Sequence, residues 1–358
     1  MGEVSSDKAV RYQGGVVPLI KFPSQCNVQA IFDFCSKIEE CTGEKVVTID
    51  FSNMGRVEPF TMVYVAKFIR DFNRRNKGTQ VMCRGHKSKD YAANMGFFRA
   101  FGLKYGREPN CVDGNDRFVP FTILRVQTIV DEASAEWEAE QNVIERRSEH
   151  LAQILSQEEH GDLNDALTFS IREVMRNVYE HSNSKSLEYC AQYWPYYNKV
   201  EIAIVDNGKG LRASLKDNPH IEIESHCDGI QQALMPAISS KNYKGAIIDT
   251  NDPWHNSGFG LYMINRICRL GGSFIICSGD HAIKLDDNGK EHIDLPHLCR
   301  GTAVRMVLNT SRLTALGDML AQFRDEGYEV AKQIKGVGMY KASAASQMLS
   351  RDFVKNDA

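Results

Sequence analysis

Between Gly15 and about Cys111 the apolar spacing switches repeatedly between a period of two and a helical period, and few folds accept that pattern. Val16–Phe22, Lys45–Phe51 and Gln80–Arg84 read as strands, while Val28–Cys41, Phe60–Arg75 and Ser88–Phe101 repeat at helical spacing. Strands alternating with helices bury a sheet under helices, so this stretch is expected to be a small α/β domain over residues 14–112. Pro59 sits where a first helical turn tolerates it, and Gly43, Gly78 and Gly102 fall where helices stop. The polar stretch Arg107–Arg117 contains Pro109, Gly114, Asn115 and Asp116 and reads as a linker.

A second domain is expected over residues 117–310 and a helical segment with a polar tail over 311–358. It begins with the apolar run Phe118–Val126, followed by a long helix from about Asp131 to Gln157 and another from Asp162 to His181. Leu187–Trp194 and Lys199–Val205 flank Pro195-Tyr196-Tyr197-Asn198 as an antiparallel hairpin. Leu211–Ser257 shows little strand pattern, with one helical piece near Gly229–Ile238, and a loop of that length is usually functional or disordered. A helix (Leu261–Leu270), a strand (Ser273–Ser278), a polar tip at Asp286-Asp287-Asn288-Gly289 and a last strand (Gly301–Leu308) follow. Leu313, Leu316, Met319, Leu320 and Phe323 at helical spacing are expected to pack on this domain or on a second copy.

Composition narrows the function classes. The 358 residues are 42% hydrophobic and 25% charged, as in ordinary globular chains. Lys and Arg total 43 against 46 Asp and Glu, a net charge of -3, and no basic run is suited to a phosphate backbone, so nucleic acid is not the expected partner. No apolar stretch is long enough to span a bilayer and residues 1–13 lack a signal-peptide core, so a cytoplasmic location is expected. The 10 cysteines include no Cys-x-x-Cys pair and no Cys/His cluster at zinc-ligand spacing, and neither a disulfide framework nor a structural metal is expected.

Four short patterns carry chemistry. On the helix Asp162–His181, Leu167, Ile171, Val174, Met175 and Val178 share the core face, with Arg172, Arg176 and Glu180 roughly opposite. Glu173, Asn177 and His181 form a polar stripe on the flank. A carboxylate one turn from a carboxamide suits a base that activates water or a hydroxyl beside a Mg2+ ligand, although an ordinary surface stripe has the same spacing. Val205-Asp206-Asn207-Gly208-Lys209-Gly210 closes an apolar strand: it makes a good turn, and its Asp206 can accept from an exocyclic amine such as that of adenine. Asn256-Ser257-Gly258-Phe259-Gly260-Leu261-Tyr262 opens a helix with Gly-x-Gly, as phosphate cradles do and as closely packed helix starts also do. Arg300-Gly301-Thr302 begins the last strand, where a hydroxyl can add a contact to a base.

In this order the four patterns resemble the Bergerat-fold (GHKL, histidine-kinase-like) ATPases, which include gyrase B subunits, heat-shock chaperones, histidine kinases and anti-sigma-factor serine kinases. The resemblance spans about Phe118 to Leu308 and implies an α/β sandwich that binds ATP and Mg2+. By it, Glu173 is the base, Asn177 the Mg2+ ligand, Asp206 the adenine-binding aspartate, Gly208 and Gly210 the first glycine box, Gly258, Phe259, Gly260 and Leu261 the second, and Thr302 the threonine near the base. No Walker A pattern occurs. Asp228-Gly229-Ile230-Gln231-Gln232-Ala233-Leu234 followed by Ser239-Ser240-Lys241 looks like the lid region of the anti-sigma-factor kinase branch. Lys241 then either reaches a terminal phosphate or is simply a solvated lysine.

The first domain is similar to STAS domains, the fold of anti-sigma-factor antagonists. The family's phosphorylated serine has no counterpart, because the matching stretch reads Glu58-Pro59-Phe60-Thr61 and Thr61 is one residue late. A structural or docking role is expected for it. The resemblances together imply an ATP-binding, Mg2+-dependent regulatory protein that phosphorylates a serine or threonine of a protein partner, with an ATP-driven switch or slow ATPase as the alternative. A homodimer fits either reading. A histidine kinase fits less well, because His150 is followed by Leu151 and not by an acid.

Overall fold

The alternation in the first third of the chain folds as expected in kind, with differences at its edges. The computed structural model describes residues 9–12, 15–110, 117–245, 258–313 and 316–334. Strands β1 (Ala9–Tyr12) and β2 (Gly15–Lys21) precede helix α1 (Val28–Glu39), β3 (Val46–Asp50), α2 (Pro59–Arg75) and β4 (Gln80–Arg84). The helix expected over Ser88–Phe101 is instead two short ones, α3 (Asp90–Asn94) and α4 (Phe97–Ala100). Gly96 between them has φ +84°, a left-handed conformation that ends one helix and re-aims the next. The sheet has the order β1-β2-β3-β4, with β2, β3 and β4 parallel and β1 antiparallel on the edge.

The second unit begins with β5 (Phe118–Arg125), α5 (Val126–Glu136), α6 (Glu140–Ser156) and α7 (Asp162–Asn177), which runs on into a π-helical turn at Val178–Ser182. The long helix expected from Asp131 to Gln157 is therefore broken: Trp137 takes φ +56° at the end of α5 and its side chain lies in solvent. The hairpin β6 (Ser186–Trp194) and β7 (Lys199–Asp206) pairs Trp194 with Lys199, and α8 (Gly210–Leu215) and α9 (His226–Ala233) follow. Helix α10 (Gly260–Cys268) leads to a hairpin of β8 (Ser273–Asp286) and β9 (Gly289–Asn309), then to α11 (Leu316–Gln333). Both strands are much longer than the apolar runs Ser273–Ser278 and Gly301–Leu308 suggest, because their outer halves are polar. The sheet order is β5-β6-β7-β9-β8, with every pair antiparallel.

The inner part of this five-stranded sheet is covered on both faces. Along β7, Ile202 and Ile204 join a core with α6, α7 and α10, while Ala203 and Val205 join a core with α1 and α2. The same parity runs along β8, with Phe274 and Ile276 on one side and Ile275 and Cys277 on the other. Sheets covered on both faces read as continuous apolar runs rather than alternating ones, which is how these strands look in sequence. The described part of the expected linker is also structured: the Asn110 carboxamide donates to Ile123 O (2.8 Å) and accepts from Ile123 N (2.7 Å) in β5.

Helix α2 lies between the two sheets and is buried on almost every side, from Pro59 through Ile69, with Lys67 paired to Asp71 inside it at 3.2 Å. Charges fix its place. Glu201 of β7, with 0% of its surface exposed, accepts from Phe60 N in the first turn of α2 (3.1 Å) and from Arg305 of β9 (2.7 Å), with Lys199 3.3 Å away. Glu58 closes the group by binding Lys199 at 2.6 Å and Arg305 at 2.8 Å. Burial pushes the Glu201 carboxyl up, but Arg305 and Lys199 outweigh it and hold it below the usual glutamate range. Arg70 of α2 also grips Glu188 of β6. No helix among the described residues is long and apolar enough to cross a membrane.

Removing one partner from a buried ion pair typically costs about 3–5 kcal/mol because the other charge is left uncompensated. Glu201→Ala is expected to lower unfolding free energy in urea by about that amount. A glutamate with a depressed folded pKa contributes stability above its unfolded pKa and loses it on acidification. The wild-type advantage over Glu201→Ala should therefore shrink as pH falls below the ordinary glutamate range.

Candidate functional site

The even-numbered residues at one end of the strands face the α7 and α10 side. Asp206 ends β7, Ile276 sits in β8, and Thr302 and Val304 lie in β9, in a register that pairs Ile204 with Val304, Ile276 with Val304 and Ser278 with Thr302. Above them, α7, the start of α10 and the segment Ala233–Ser240 enclose a cleft of about 850 Å3, counting its open mouth. Glu173, Asn177, Asp206, Gly210, Gly258, Gly260, Leu261 and Thr302, all singled out from sequence, line it. Leu211, Leu215, Ile238, Ile276 and Val304 make much of the remaining wall apolar.

Asp206 is 1% exposed. Its carboxylate accepts from Gly208 N (2.5 Å) and Thr302 N (3.2 Å). Burial pushes its pKa up to about 6, against the smaller lowering effect of these bonds and of Lys67 in α2 below. Four lone-pair positions are available on a carboxylate, so two backbone bonds leave capacity for a donor from the cleft.

Several glycines are fixed by close approach. A Cβ on Gly260 would lie 2.4 Å from Glu173 Oε2, so the start of α10 packs directly on that carboxylate. Gly301 (φ +72°) leaves room for Asp206 O, 2.3 Å from where its Cβ would be. Gly258 (φ +75°) lies under Ala237 and Ile238, tying the helix start to the cleft wall.

Glu173 is buried, and its Oε1 lies 3.3 Å from Arg172 Nε and 3.6 Å from Arg176. Arg172 and Arg176, read as lying roughly opposite the core face of α7, are both buried as well, because α6 covers that side of α7, and Glu145 of α6 accepts from Arg172 at 3.0 and 3.1 Å. Arg176 in turn holds Glu180. The glutamate is thus oriented by two guanidinium groups that are themselves anchored. One turn on, Asn177 is half-buried in the cleft wall, and its carboxamide makes no hydrogen bond to the protein among the described residues.

The π-helical turn then widens the helix so that His181 and Ser182 also reach the cleft. Burial, reinforced by Lys241, Arg176 and Lys209, pushes the His181 imidazole down to about 4, so it is neutral at pH 7. Its Nδ1 lies 3.3 Å from Ser240 Oγ.

Three residues singled out from sequence lie outside the cleft wall. Gly208 packs on the π-helical turn, where a Cβ would come 2.1 Å from Ser182 O, so its role is to let that turn close. Phe259 is turned into the core against Tyr328 of α11 (ring centroids 5.0 Å apart), which is also how the C-terminal helix docks on its own domain. Lys241 is exposed beside Ser239 and Ser240, and its backbone N–H donates to Ser239 Oγ at 3.0 Å. Asn256 and Ser257 lie outside the described residues. Thr61 is 2% exposed within α2.

The wall residues Ser214 and Leu215 escape a reading of motifs, since they sit in a stretch with little strand pattern. So does Ser278, whose hydroxyl donates to Gly301 O (3.0 Å) and accepts from Leu211 N (3.0 Å), binding β8, β9 and α8 together. In sequence it is only the end of an apolar run.

Gly260→Ala would push on the Glu173 carboxylate, a side-chain end that Arg172 and Arg176 hold in place, and overpacking of this kind costs about 1–3 kcal/mol. The variant is expected to fold, with its thermal midpoint lowered by several degrees, and to displace the Glu173 carboxylate in a crystal structure. No protein-family model matches the sequence, and no curated protein matches it either.

Proposed function

We propose that the cleft binds ATP with Mg2+ and that the protein transfers phosphate to a serine or threonine of a protein partner, as the resemblance to the anti-sigma-factor kinase branch of the Bergerat-fold ATPases implies. The observation that carries the reading is convergence: four patterns from separate parts of the chain meet on one cleft, with Asp206 buried at its floor and, on its wall, the Asn177 carboxamide, which has no hydrogen bond to the protein among the described residues. In this reading the first unit is a degenerate STAS-like domain and the second a Bergerat-fold sandwich.

The residues divide the work by chemistry. Asp206 accepts from the exocyclic amine of adenine, and Thr302 and the apolar wall hold the base. The first N–H groups of α10 lack intrahelical partners, and glycines at 258 and 260 let a phosphate approach them. Asn177 supplies an oxygen ligand for Mg2+, which when bound neutralises charge on the phosphates. Glu173, oriented by Arg172 and Arg176, accepts the proton of the attacking hydroxyl. Because Thr61 is buried within α2, the acceptor is sought on a partner outside this chain. A switch or slow hydrolase, with Glu173 acting on water, uses the same residues.

Incubation with γ-labelled ATP and Mg2+, alone and with proteins encoded nearby, separates the two. Label on a serine or threonine is the expected result, and recovery of all of it as free phosphate would sink the kinase reading. Glu173→Ala should abolish turnover while leaving nucleotide affinity within a few-fold. A hydrogen bond to a charged group contributes about 1.5–3 kcal/mol, so Asp206→Ala should weaken ATP binding by roughly 10- to 100-fold. Since the acceptor is the ionised form of a group with pKa about 6, wild-type affinity should fall as pH is lowered through about 6. Fluorescent-nucleotide titration at several pH values checks this, and a flat profile would count against Asp206 as the base contact.

A further inference from the structure

A second group of side chains lies away from the cleft floor, where α9 meets the polar outer half of the β8–β9 hairpin. Cys227 in the first turn of α9, His281 of β8 and His292 of β9 present ligand atoms that all lie within 4.8 Å of one another. Cys227 Sγ is 3.5 Å from His292 Nδ1, and His281 Nε2 is 3.1 Å from the same nitrogen. With Zn–S about 2.3 Å and Zn–N about 2.0–2.1 Å, a tetrahedral ion spaces its ligand atoms about 3.3–3.6 Å apart. The Cys227 Sγ–His292 Nδ1 separation falls within that spacing, and the His281 Nε2–His292 Nδ1 separation of 3.1 Å lies just below it.

The protons point the same way. His281 Nδ1 is 3.1 Å from Asp294 Oδ1, so its proton belongs on Nδ1, and Nε2 carries a lone pair aimed at the group. A carboxylate behind a ligating histidine is the usual outer-shell arrangement at zinc sites. Cys227 is fixed from its own side: Ser225 Oγ and Asp228 close a capping box at the start of α9, and His226 Nδ1 contacts Asp280 Oδ1 at 2.9 Å.

We propose that Cys227 Sγ, His281 Nε2 and His292 Nδ1 bind a zinc ion that pins α9 to the β8–β9 hairpin. Three protein ligands leave a fourth position for water or an exogenous ligand. The site matters beyond itself because α9 carries Cys227 in its first turn and ends at Ala233, which lines the cleft. A bound ion would therefore stiffen one wall of the cleft, whatever the cleft binds.

The test uses the full chain, stripped with a chelator and titrated separately with Zn2+ and Co2+. One ion per chain is expected, with submicromolar affinity for zinc in competition with a chromogenic chelator. The cobalt form should show a near-ultraviolet thiolate charge-transfer band and intense visible bands of a tetrahedral ion. Cys227→Ser should remove the charge-transfer band. His292→Ala, at an exposed position, should keep the fold by circular dichroism and lose at least tenfold in affinity. Asp294→Asn should cost about 10- to 100-fold, as outer-shell changes do. Substoichiometric uptake, a cobalt spectrum without a thiolate band, or affinities unchanged in both Cys227→Ser and His292→Ala would overturn the proposal.

Discussion

Helix α2 is buried on almost every side up to its last turn, and much of the remaining structure follows from that. It is packed between a mostly parallel sheet and the back of an antiparallel one, so the strands that form the floor of the cleft are also the strands that α2 braces from behind. Even-numbered residues of β7, β8 and β9 near the cleft face one side and odd-numbered ones face the other. A slip of one residue would exchange Asp206 for Val205 and Thr302 for Ala303 at the cleft, and would drive Glu201 out of its ion group. The two cores therefore hold each other's register: the apolar face toward α2 keeps the polar face toward the cleft in place.

Buried charge gives that packing its specificity. A hydrophobic helix between two apolar surfaces can slide or rotate at small cost, whereas Glu201 is satisfied only when Phe60 N and Arg305 are both within reach. The same device recurs on the cleft side, where Arg172 and Arg176 link Glu173 to Glu145 and Glu180 across α6, α7 and the π-helical turn. Lys67, buried in α2 beside Asp71, extends its field to Asp206, so the carboxylate at the cleft floor feels a charge from the first unit. The boundary between the units is an electrostatic and packing interface and is not a loose tether among the described residues.

Where local signals are strong, sequence and structure agree in kind. The hairpin around Pro195–Asn198 forms because two apolar runs flank a turn, and Glu173 and Asn177 reach the same cleft because four residues make about one helical turn. Disagreements fall where long-range contacts outweigh local pattern. Arg172 and Arg176 read as lying opposite the core face until α6 is laid over them. Phe259 looks like part of a glycine-rich cradle until Tyr328 draws its ring into the core. The outer halves of β8 and β9 carry only a thin apolar alternation, Ile293, Leu295 and Cys299 among polar residues, and there side chains such as His281 and Asp294 pair across the ladder.

By itself the sequence determined the alternating elements, the polar stripe on α7 and the positions where the chain has to bend sharply, since these depend on period, propensity and the absence of a Cβ. Only the tertiary structure decided that the stripe, Asp206, the second Gly-x-Gly and Thr302 share one cleft, and that Cys227 meets two histidines far along the chain. Such meetings depend on strand order and register, which are settled by which faces can be buried together, and no local spacing encodes them.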